Sequence, residues 1–195
     1  MKKVVVFSQI DEEILSRLQQ HYHVVVLNPK LGDINEQIRQ EVVDADGMIG
    51  AGRLLNESNL SPAQKLKIIS SVTVGYDNYD VDLNAESKAL MGKAQFELMQ
   101  KHAIFINIAR GSVVDEQALI EALQNEVIFA AGLDVYEKEP LQESALFNLP
   151  NVVTLPHVGS ATAETRKKMA NLAYKNLVEA LEDKTPRYLV NPNFV

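Results

Sequence analysis

The chain has 195 residues, enough for one domain or two small lobes, and its 46% hydrophobic and 23% charged residues are typical of a globular protein. The net charge of −7 argues against nucleic acid and anionic membrane surfaces as partners. There is no cysteine, which excludes disulfides and thiol catalysis. Residues 1–8 indicate a first strand rather than a signal peptide, so a cytoplasmic location is the default expectation.

The first half of the chain alternates between strand-like and helix-like patterns. Apolar runs predict strands at residues 4–8, 24–27, 47–50 and 67–74. Helices are predicted at residues 11–20, 34–43 and 81–89, with Asp11 as an N-cap. Residues 56–60 are interpreted as a loop, and Pro62 fits the first turn of a short helix. This alternation predicts a parallel sheet with helices on its faces.

The second half continues the alternation. Strands are predicted at residues 104–109, 129–135 and 152–155, and helices at 94–101, 115–124 and 161–182. Asp115 is a good N-cap for the second of these helices. The expected fold class is therefore α/β, with a parallel, doubly wound, flavodoxin-like or Rossmann-like sheet. Both two partial lobes and one merged sheet fit the pattern.

Three polar side chains each follow one of the strands predicted in the second half. Arg110, Glu139 and His157 would meet at the carboxyl edge of the sheet, where such folds bind ligands. A guanidinium can hold a carboxylate by paired hydrogen bonds, and a histidine can exchange a proton near neutral pH. A carboxylate beside the imidazole would fix its tautomer. These residues suggest acid–base chemistry on a small carboxylic acid.

Other interpretations of these residues stay open. Arg110 also fits a surface arginine paired with Asp115 or Glu116, and Glu137 is an alternative partner for His157, although a solvated loop acid is the better interpretation of Glu137. The remaining histidines have no motif around them and are predicted to lie on the surface: His21, His23 and His102. No metal site is suggested, because only His157 has a carboxylate placed for it.

The segments NIARGSVVD at 107–115, GLDVYEKEP at 132–140 and LPHVGS at 155–160 resemble motifs of the D-isomer-specific 2-hydroxyacid dehydrogenases. The glyoxylate/hydroxypyruvate/2-ketogluconate reductase branch is the most similar. The resemblance implies that Arg110, Glu139 and His157 are catalytic, with His157 as general acid and Glu139 as its partner. It implies that NAD or NADP contacts a further set of residues: Ala109, Asp134 and Gly159. It also implies that the backbone of Val74 and Gly75 binds the substrate carboxylate.

The same resemblance implies a division of the chain. Residues 1–91 look like the first part of the substrate domain, 92–165 like the second half of the NAD(P)-binding domain, and 166–195 like a closing helix and tail that return to the substrate domain. The family's glycine-rich loop would fall near Met91 and Gly92, where nothing is inserted. The G-x-G at Gly50 has Leu55 where the fingerprint needs a third glycine, so it is interpreted as a substrate-side loop.

The implied activity is hydride transfer between a nicotinamide and a small 2-oxo or 2-hydroxy acid such as glyoxylate or hydroxypyruvate. Without the glycine-rich loop, this chain is expected to be impaired or inactive as an oxidoreductase. The alternative is a catalytically dead remnant that acts as a binding or assembly module, or as a small-anion binder. A homodimer is compatible with the oxidoreductase and with the catalytically dead remnant. The choice between NADH and NADPH stays open.

Overall fold

The structure, a computed structural model, describes residues 1–73 and 88–190. In chain order its elements begin with β1 (Lys3–Val6), α1 (Glu12–His21), β2 (His23–Val26), α2 (Ile34–Glu41), β3 (Gly47–Gly50), α3 (Glu57–Leu60) and β4 (Ile68–Ser71). They continue with α4 (Lys93–Glu97), β5 (Ile104–Asn107), α5 (Glu116–Gln124), β6 (Ala130–Leu133), β7 (Val152–Thr154) and α6 (Ala163–Leu181). The α/β class with parallel strands is confirmed.

The strands form two separate parallel sheets, not one merged sheet, and the chain divides into two compact units. One unit comprises Met1–Val81 and Ala163–Val195, and the other comprises Asp82–Thr162. The first sheet has the strand order β2-β1-β3-β4, and the second has the order β5-β6-β7. Each unit builds its own hydrophobic core.

The first unit covers both faces of its sheet. Alternate residues of β1 point to opposite faces, so that Val4 and Val6 pack against α1 and α6, whereas Val5 packs on the side of α2. The N-caps of α1 and α2 are aspartates whose carboxylates accept backbone N–H groups, as Asp11 does from Glu13 at 2.9 Å. This arrangement is the doubly covered sheet that continuous apolar strands predict.

Two local predictions in this unit are wrong, because residues 56–60 are not a loop and no helix begins at Pro62. Residues 56–60 do not form a loop, because α3 occupies Glu57–Leu60 and ends before Pro62. The reason is the buried side chain of Asn59, which accepts the backbone N–H of Asn56 at 3.0 Å and donates to Leu54 O at 3.2 Å. A tertiary environment that buries this amide gives the short helix two hydrogen bonds that composition does not reveal. The helix predicted at 81–89 lies almost entirely outside the described residues.

The second unit packs α4 and α5 against one face of its sheet. Phe96 of α4 meets Phe105 of β5 edge-to-face, with ring centroids 5.3 Å apart. The apolar side of α5 contributes Leu119 and Leu123 to the same core. Asp115 begins α5 as its N-cap by accepting the N–H of Ala118 at 3.0 Å. The carboxyl ends of β5, β6 and β7 therefore lie side by side at one edge of this sheet.

Candidate active site

The three polar residues singled out in the sequence lie in the loops that follow the strands of the second sheet. Arg110 follows β5, Glu139 follows β6 and His157 follows β7. All three belong to the same compact unit, so their arrangement depends on a single core. Because parallel strands place their carboxyl ends together, the three loops converge at the ligand-binding edge that this fold class provides.

Glu139 and His157 form a direct contact. Oε2 of Glu139 lies 2.7 Å from Nδ1 of His157, and Oε1 of Glu139 accepts the backbone N–H of Tyr136 at 3.1 Å. Both carboxylate oxygens are therefore engaged, which fixes the orientation of the group. An ionised carboxylate only accepts hydrogen bonds, so Nδ1 carries a proton and Nε2 is the nitrogen that remains for other chemistry.

The backbone at His157 is held in an uncommon conformation. His157 has φ of 54°, in the left-handed region that side-chain-bearing residues seldom adopt. The next two backbone N–H groups, those of Val158 and Gly159, donate to Oδ1 and Oδ2 of Asp134, each at 2.7 Å. Asp134 is only 3% exposed. A buried carboxylate thus anchors the loop directly after His157, and these bonds offset the backbone strain.

Asn107 shapes the loop that carries Arg110. Its buried side chain accepts the backbone N–H of Ala109 at 3.1 Å and donates to the carbonyl of Arg110 at 3.0 Å. Its own carbonyl accepts the N–H of Asp134 at 3.0 Å, which links the loop to β6. The Arg110 guanidinium donates through Nη1 to the carbonyl of Ala109 at 2.8 Å. The turn is therefore defined by side-chain hydrogen bonds at its base.

Gly111 allows two of the loops to touch. A Cβ built on Gly111 would lie 1.8 Å from the carbonyl oxygen of Tyr136 and 2.5 Å from the backbone nitrogen of Glu137. Both obstructing atoms belong to the backbone, so no rotamer change could make room. The absence of a side chain at Gly111 therefore brings the segment after Arg110 against the segment that leads to Glu139.

Tyr136 joins the ends of β6 and β7. Its buried hydroxyl donates to Leu155 O at 2.8 Å, and Leu133 O lies within reach at 3.1 Å. Burial raises the pKa of the phenol above its ordinary value. The hydroxyl is therefore protonated at neutral pH and fixes the strand end two residues before His157.

A cavity of about 460 Å³ adjoins the Glu139–His157 pair. Both of these residues line it, and the rest of its wall is mainly apolar, with contributions from Leu141, Phe147 and Leu155. An apolar concavity with a few convergent polar groups is typical of small-molecule sites. Arg110 does not line this cavity.

The structure brings together some of the predicted site residues. Glu139, not Glu137, contacts His157, and Glu137 instead donates its N–H to Glu116 at 3.2 Å. Val74 and Gly75 lie outside the described residues. The roles assigned to the three catalytic candidates and the cofactor contacts assigned to Ala109, Asp134 and Gly159 stay predictions.

Two supporting residues were missed in the sequence. Asn107 and Tyr136 hold the site loops through hydrogen bonds that only the fold shows. The available signal was an amide at the end of a predicted strand, which is a common turn-forming position. The three remaining histidines are exposed, as predicted: His21, His23 and His102.

Within residues 1–73 and 88–190, no group of three or more metal-binding side chains is placed to hold an ion. Over the same residues, no helix has both the length and the apolar character needed to cross a bilayer.

Comparison with known proteins finds relatives for both the sequence motifs and the fold of this chain. Residues 79–159 match the model of the D-isomer specific 2-hydroxyacid dehydrogenase family that describes its NAD binding domain. The glyoxylate/hydroxypyruvate reductase B of Klebsiella pneumoniae subsp. pneumoniae is 59% identical over 111 residues, which are 56% of this chain and 34% of that protein. This part of the chain is therefore similar to the NAD binding domain of the D-isomer specific 2-hydroxyacid dehydrogenases. The resemblance drawn from its three motifs is thereby confirmed.

Further members of the family show the same relationship. The glyoxylate/hydroxypyruvate reductase B of Enterobacter sp. is 57% identical over 112 residues, which cover 57% of this chain and 35% of that protein. The chain therefore matches about a third of the length of these dehydrogenase relatives. A glyoxylate reductase structure from Paecilomyes thermophila superposes with a TM-score of 0.83, with 17% identity, over 100% of this chain and 99% of that one.

A second solved structure supports the same fold. The NADPH-dependent glyoxylate/hydroxypyruvate reductase of Sinorhizobium meliloti in complex with citrate superposes with a TM-score of 0.77 and 19% identity, over 95% of this chain and 96% of that one. At this level of identity the superpositions establish the fold alone.

Proposed function

We propose that this chain is a member of the 2-hydroxyacid dehydrogenase family and carries the proton-transfer part of an NAD(P)-dependent reductase site. Its proposed substrate is a small 2-oxo acid such as glyoxylate or hydroxypyruvate. The observation that carries the proposal is the 2.7 Å contact between Glu139 Oε2 and His157 Nδ1. This contact leaves Nε2 as the nitrogen that can meet a substrate oxygen. The similarity to glyoxylate/hydroxypyruvate reductases supports the choice of substrate class.

In this proposal each side chain has one task. His157 donates a proton from Nε2 to the carbonyl oxygen of the 2-oxo acid as that carbon is reduced, and takes it back in the reverse direction. Glu139 stabilises the imidazolium form and fixes the ring orientation. Arg110 binds the substrate carboxylate by paired hydrogen bonds. When bound, the reduced nicotinamide supplies the hydride, so that one hydride and one proton together convert the carbonyl to a hydroxyl.

The residues present fit the nicotinamide end of the cofactor. Asp134 is buried beside the His157 loop, and each of its oxygens accepts one backbone N–H. A carboxylate oxygen has two lone pairs, so Asp134 retains capacity to accept from a carboxamide. Ala109 and Gly159 are exposed in the adjoining loops, and neither has a side chain larger than a methyl group. In this proposal these three residues hold the nicotinamide. The match of residues 79–159 to an NAD binding domain supports a cofactor site in this part of the chain, without assigning the residues.

We propose further that the affinity for NAD(P) is low and turnover is weak. The sequence contains no G-x-G-x-x-G segment, and the backbone N–H groups of such a loop normally bind the pyrophosphate. The second candidate function, a binding or assembly module or a small-anion binder without redox activity, follows from the same observation. In that case Arg110 would bind a carboxylate in the absence of any nucleotide.

The deciding experiment is a titration of the purified chain with NADH and with NADPH, followed by the fluorescence of the reduced nicotinamide. Saturable binding, together with oxidation of the nicotinamide that requires glyoxylate or hydroxypyruvate, would support the reductase. The variants His157→Ala and Arg110→Ala should then abolish the rate. The matched control is His102→Ala, which removes an exposed histidine and should leave the rate unchanged.

The opposite result is equally informative. An absence of nucleotide binding up to millimolar concentration, with a fluorescence trace identical to that of His157→Ala, would exclude the reductase for this chain. Glyoxylate binding without nucleotide, measured by calorimetry and lost in Arg110→Ala, would then establish the small-anion binder.

A further inference from the structure

The cavity beside the Glu139–His157 pair has more room than a very small acid needs. Its volume is about 460 Å³, and roughly 300–1,000 Å³ is typical of pockets for small molecules. Glyoxylate carries only a hydrogen on its carbonyl carbon, and hydroxypyruvate carries a hydroxymethyl group there. Neither acid fills a cavity of this size, so the volume indicates a ligand with a larger side chain.

The wall of the cavity is largely apolar. The segment that begins directly after Glu139 contributes Pro140, Leu141 and Phe147, and the residue directly after β7 contributes a further side chain, Leu155. Phe147 is 51% exposed and Leu155 is 48% exposed, so both present apolar surface that the core of the unit does not cover. An aromatic ring and branched side chains in one wall are complementary to an apolar group of the ligand.

Two polar side chains in this wall, Glu139 and Tyr136, already have hydrogen-bond partners. The carboxylate of Glu139 is engaged through both oxygens, by Nδ1 of His157 and by the backbone N–H of Tyr136. The hydroxyl of Tyr136 donates to Leu155 O at 2.8 Å. A charged group that entered the cavity would lose its hydration for few new partners, and a carboxylate would also be repelled by the charge of Glu139. The cavity therefore favours an uncharged, apolar group.

The orientation of a 2-oxo acid follows from which residues line the cavity. In the proposed function the keto oxygen meets Nε2 of His157, and the carboxylate meets Arg110. His157 lines the cavity, whereas Arg110 does not. A keto carbon has three substituents, and two of them are then the oxygen at His157 and the carboxylate at Arg110. The side chain is the substituent that is left to enter the cavity.

We propose that this cavity binds the side chain of a 2-oxo acid with a branched or aromatic apolar group, and that the site prefers such acids to glyoxylate. The inference rests on the proposed function, because the orientation uses His157 and Arg110 in their proposed roles. It accounts together for the volume of the cavity, its apolar wall and its position beside the imidazole. The simplest acid of this class is 4-methyl-2-oxopentanoate.

The test measures binding, both without nucleotide and with NADPH. The full chain, with ¹³C-labelled leucine methyl groups, is titrated with 4-methyl-2-oxopentanoate, with glyoxylate and with oxaloacetate. The methyl signals of Leu141 and Leu155 report on the cavity. Oxaloacetate is the matched ligand, because it has a carboxylate of similar size where the first acid has an isopropyl group. We expect 4-methyl-2-oxopentanoate to shift both leucines and to bind at least about tenfold more tightly than the other two acids.

Two phenylalanine variants test the wall itself. Phe147→Ala removes the aromatic ring from the cavity, and the affinity for 4-methyl-2-oxopentanoate should fall about fivefold or more. The matched control is Phe129→Ala, which makes the same change at a ring that is 64% exposed, directly precedes β6 and does not line the cavity. Its affinity should equal that of the wild type. Circular dichroism verifies that both variants fold, which is expected because both rings are exposed.

A failure of this inference can be told apart from a failure of the proposed function. Binding of 4-methyl-2-oxopentanoate that shifts the two leucines, without any oxidation of the reduced nicotinamide, would support the cavity and contradict the reductase. Oxidation driven by glyoxylate, with no tighter binding of 4-methyl-2-oxopentanoate, would support the reductase and overturn the inference. Equal affinities in Phe147→Ala and Phe129→Ala would also overturn it, as would leucine signals that do not move in either titration.

Discussion

The carboxylate of Asp134 accepts the backbone N–H of Gly159 at 2.7 Å, and its second oxygen accepts that of the preceding residue at the same distance. Asp134 directly follows β6, and Gly159 lies two residues past His157 in the loop after β7. The position of the imidazole therefore depends on an acid that does not contact it. This dependence makes the loop after β7 sensitive to changes far from the ring itself.

The variant Asp134→Asn tests this anchor. An asparagine retains one oxygen, so one of the two N–H groups loses its acceptor and faces an amide NH₂ instead. We expect a loss of about 1–3 kcal/mol in the stability of the second unit and faster hydrogen exchange at the amides of Val158 and Gly159. Hydrogen exchange followed by NMR measures both. The control is Asp115→Asn at the α5 N-cap, where asparagine caps as well as aspartate and a change below about 0.5 kcal/mol is expected.

The close approach at Gly111 gives a second prediction. In Gly111→Ala the new methyl group would overlap the carbonyl of Tyr136, so the loops of Arg110 and Glu139 must separate. We expect the free energy of unfolding to fall by about 3 kcal/mol or more. Urea denaturation provides the measurement. Gly92→Ala is the control, because a Cβ there meets its nearest atom at 3.5 Å, and a loss below about 1 kcal/mol is expected. Equal losses in both variants would contradict the contact.

The Glu139–His157 contact predicts a tautomer. In the wild type the neutral imidazole should carry its proton on Nδ1, because the ionised carboxylate can only accept. In Glu139→Gln the amide can donate to Nδ1, and a substantial fraction of the proton should move to Nε2. Long-range ¹H–¹⁵N correlation spectra distinguish the two tautomers. If the chain turns over, the rate should fall by about 10²-fold or more.

The control for this change is Glu137→Gln. Glu137 is a neighbouring exposed acid that does not contact His157, so the tautomer and any rate should be unaffected. A wild-type imidazole that is mainly protonated at Nε2 would show that the contact does not form in solution.

Tyr136 predicts a contribution to stability at high pH. Burial raises the pKa of its phenol above the unperturbed value of 10.0, so the folded state favours the protonated form. This stabilisation is complete below about pH 10 and is lost as the pH rises through the folded pKa. The loss of stability between neutral and strongly alkaline pH should therefore be smaller in Tyr136→Phe than in the wild type. Urea denaturation over a pH series measures the difference, and parallel curves would contradict it.

The sequence predicted much of the candidate site because the relevant signals are local. Strand ends can be located from apolar runs, and parallel strands bring their carboxyl ends together whatever the details of packing. The choice of Glu139 over Glu137 came from the family motif, and the structure makes the corresponding contact with His157. The supports at Asn107 and Tyr136 could not be predicted, since their partners come from other segments and depend on how the loops pack.

The sequence alone determined the α/β class, the succession of the described strands along the chain and the three residues that follow strands of the second sheet. Periodicity and strand ends are properties of consecutive residues, which is why they can be predicted. Only the tertiary structure decided that the strands divide into two sheets, that α6 packs on the first of them and that one face of the second sheet is open. These features depend on contacts between residues distant in sequence. A strand with apolar residues on both sides has the same pattern whether its second face is covered or exposed, so the sequence could not show the difference.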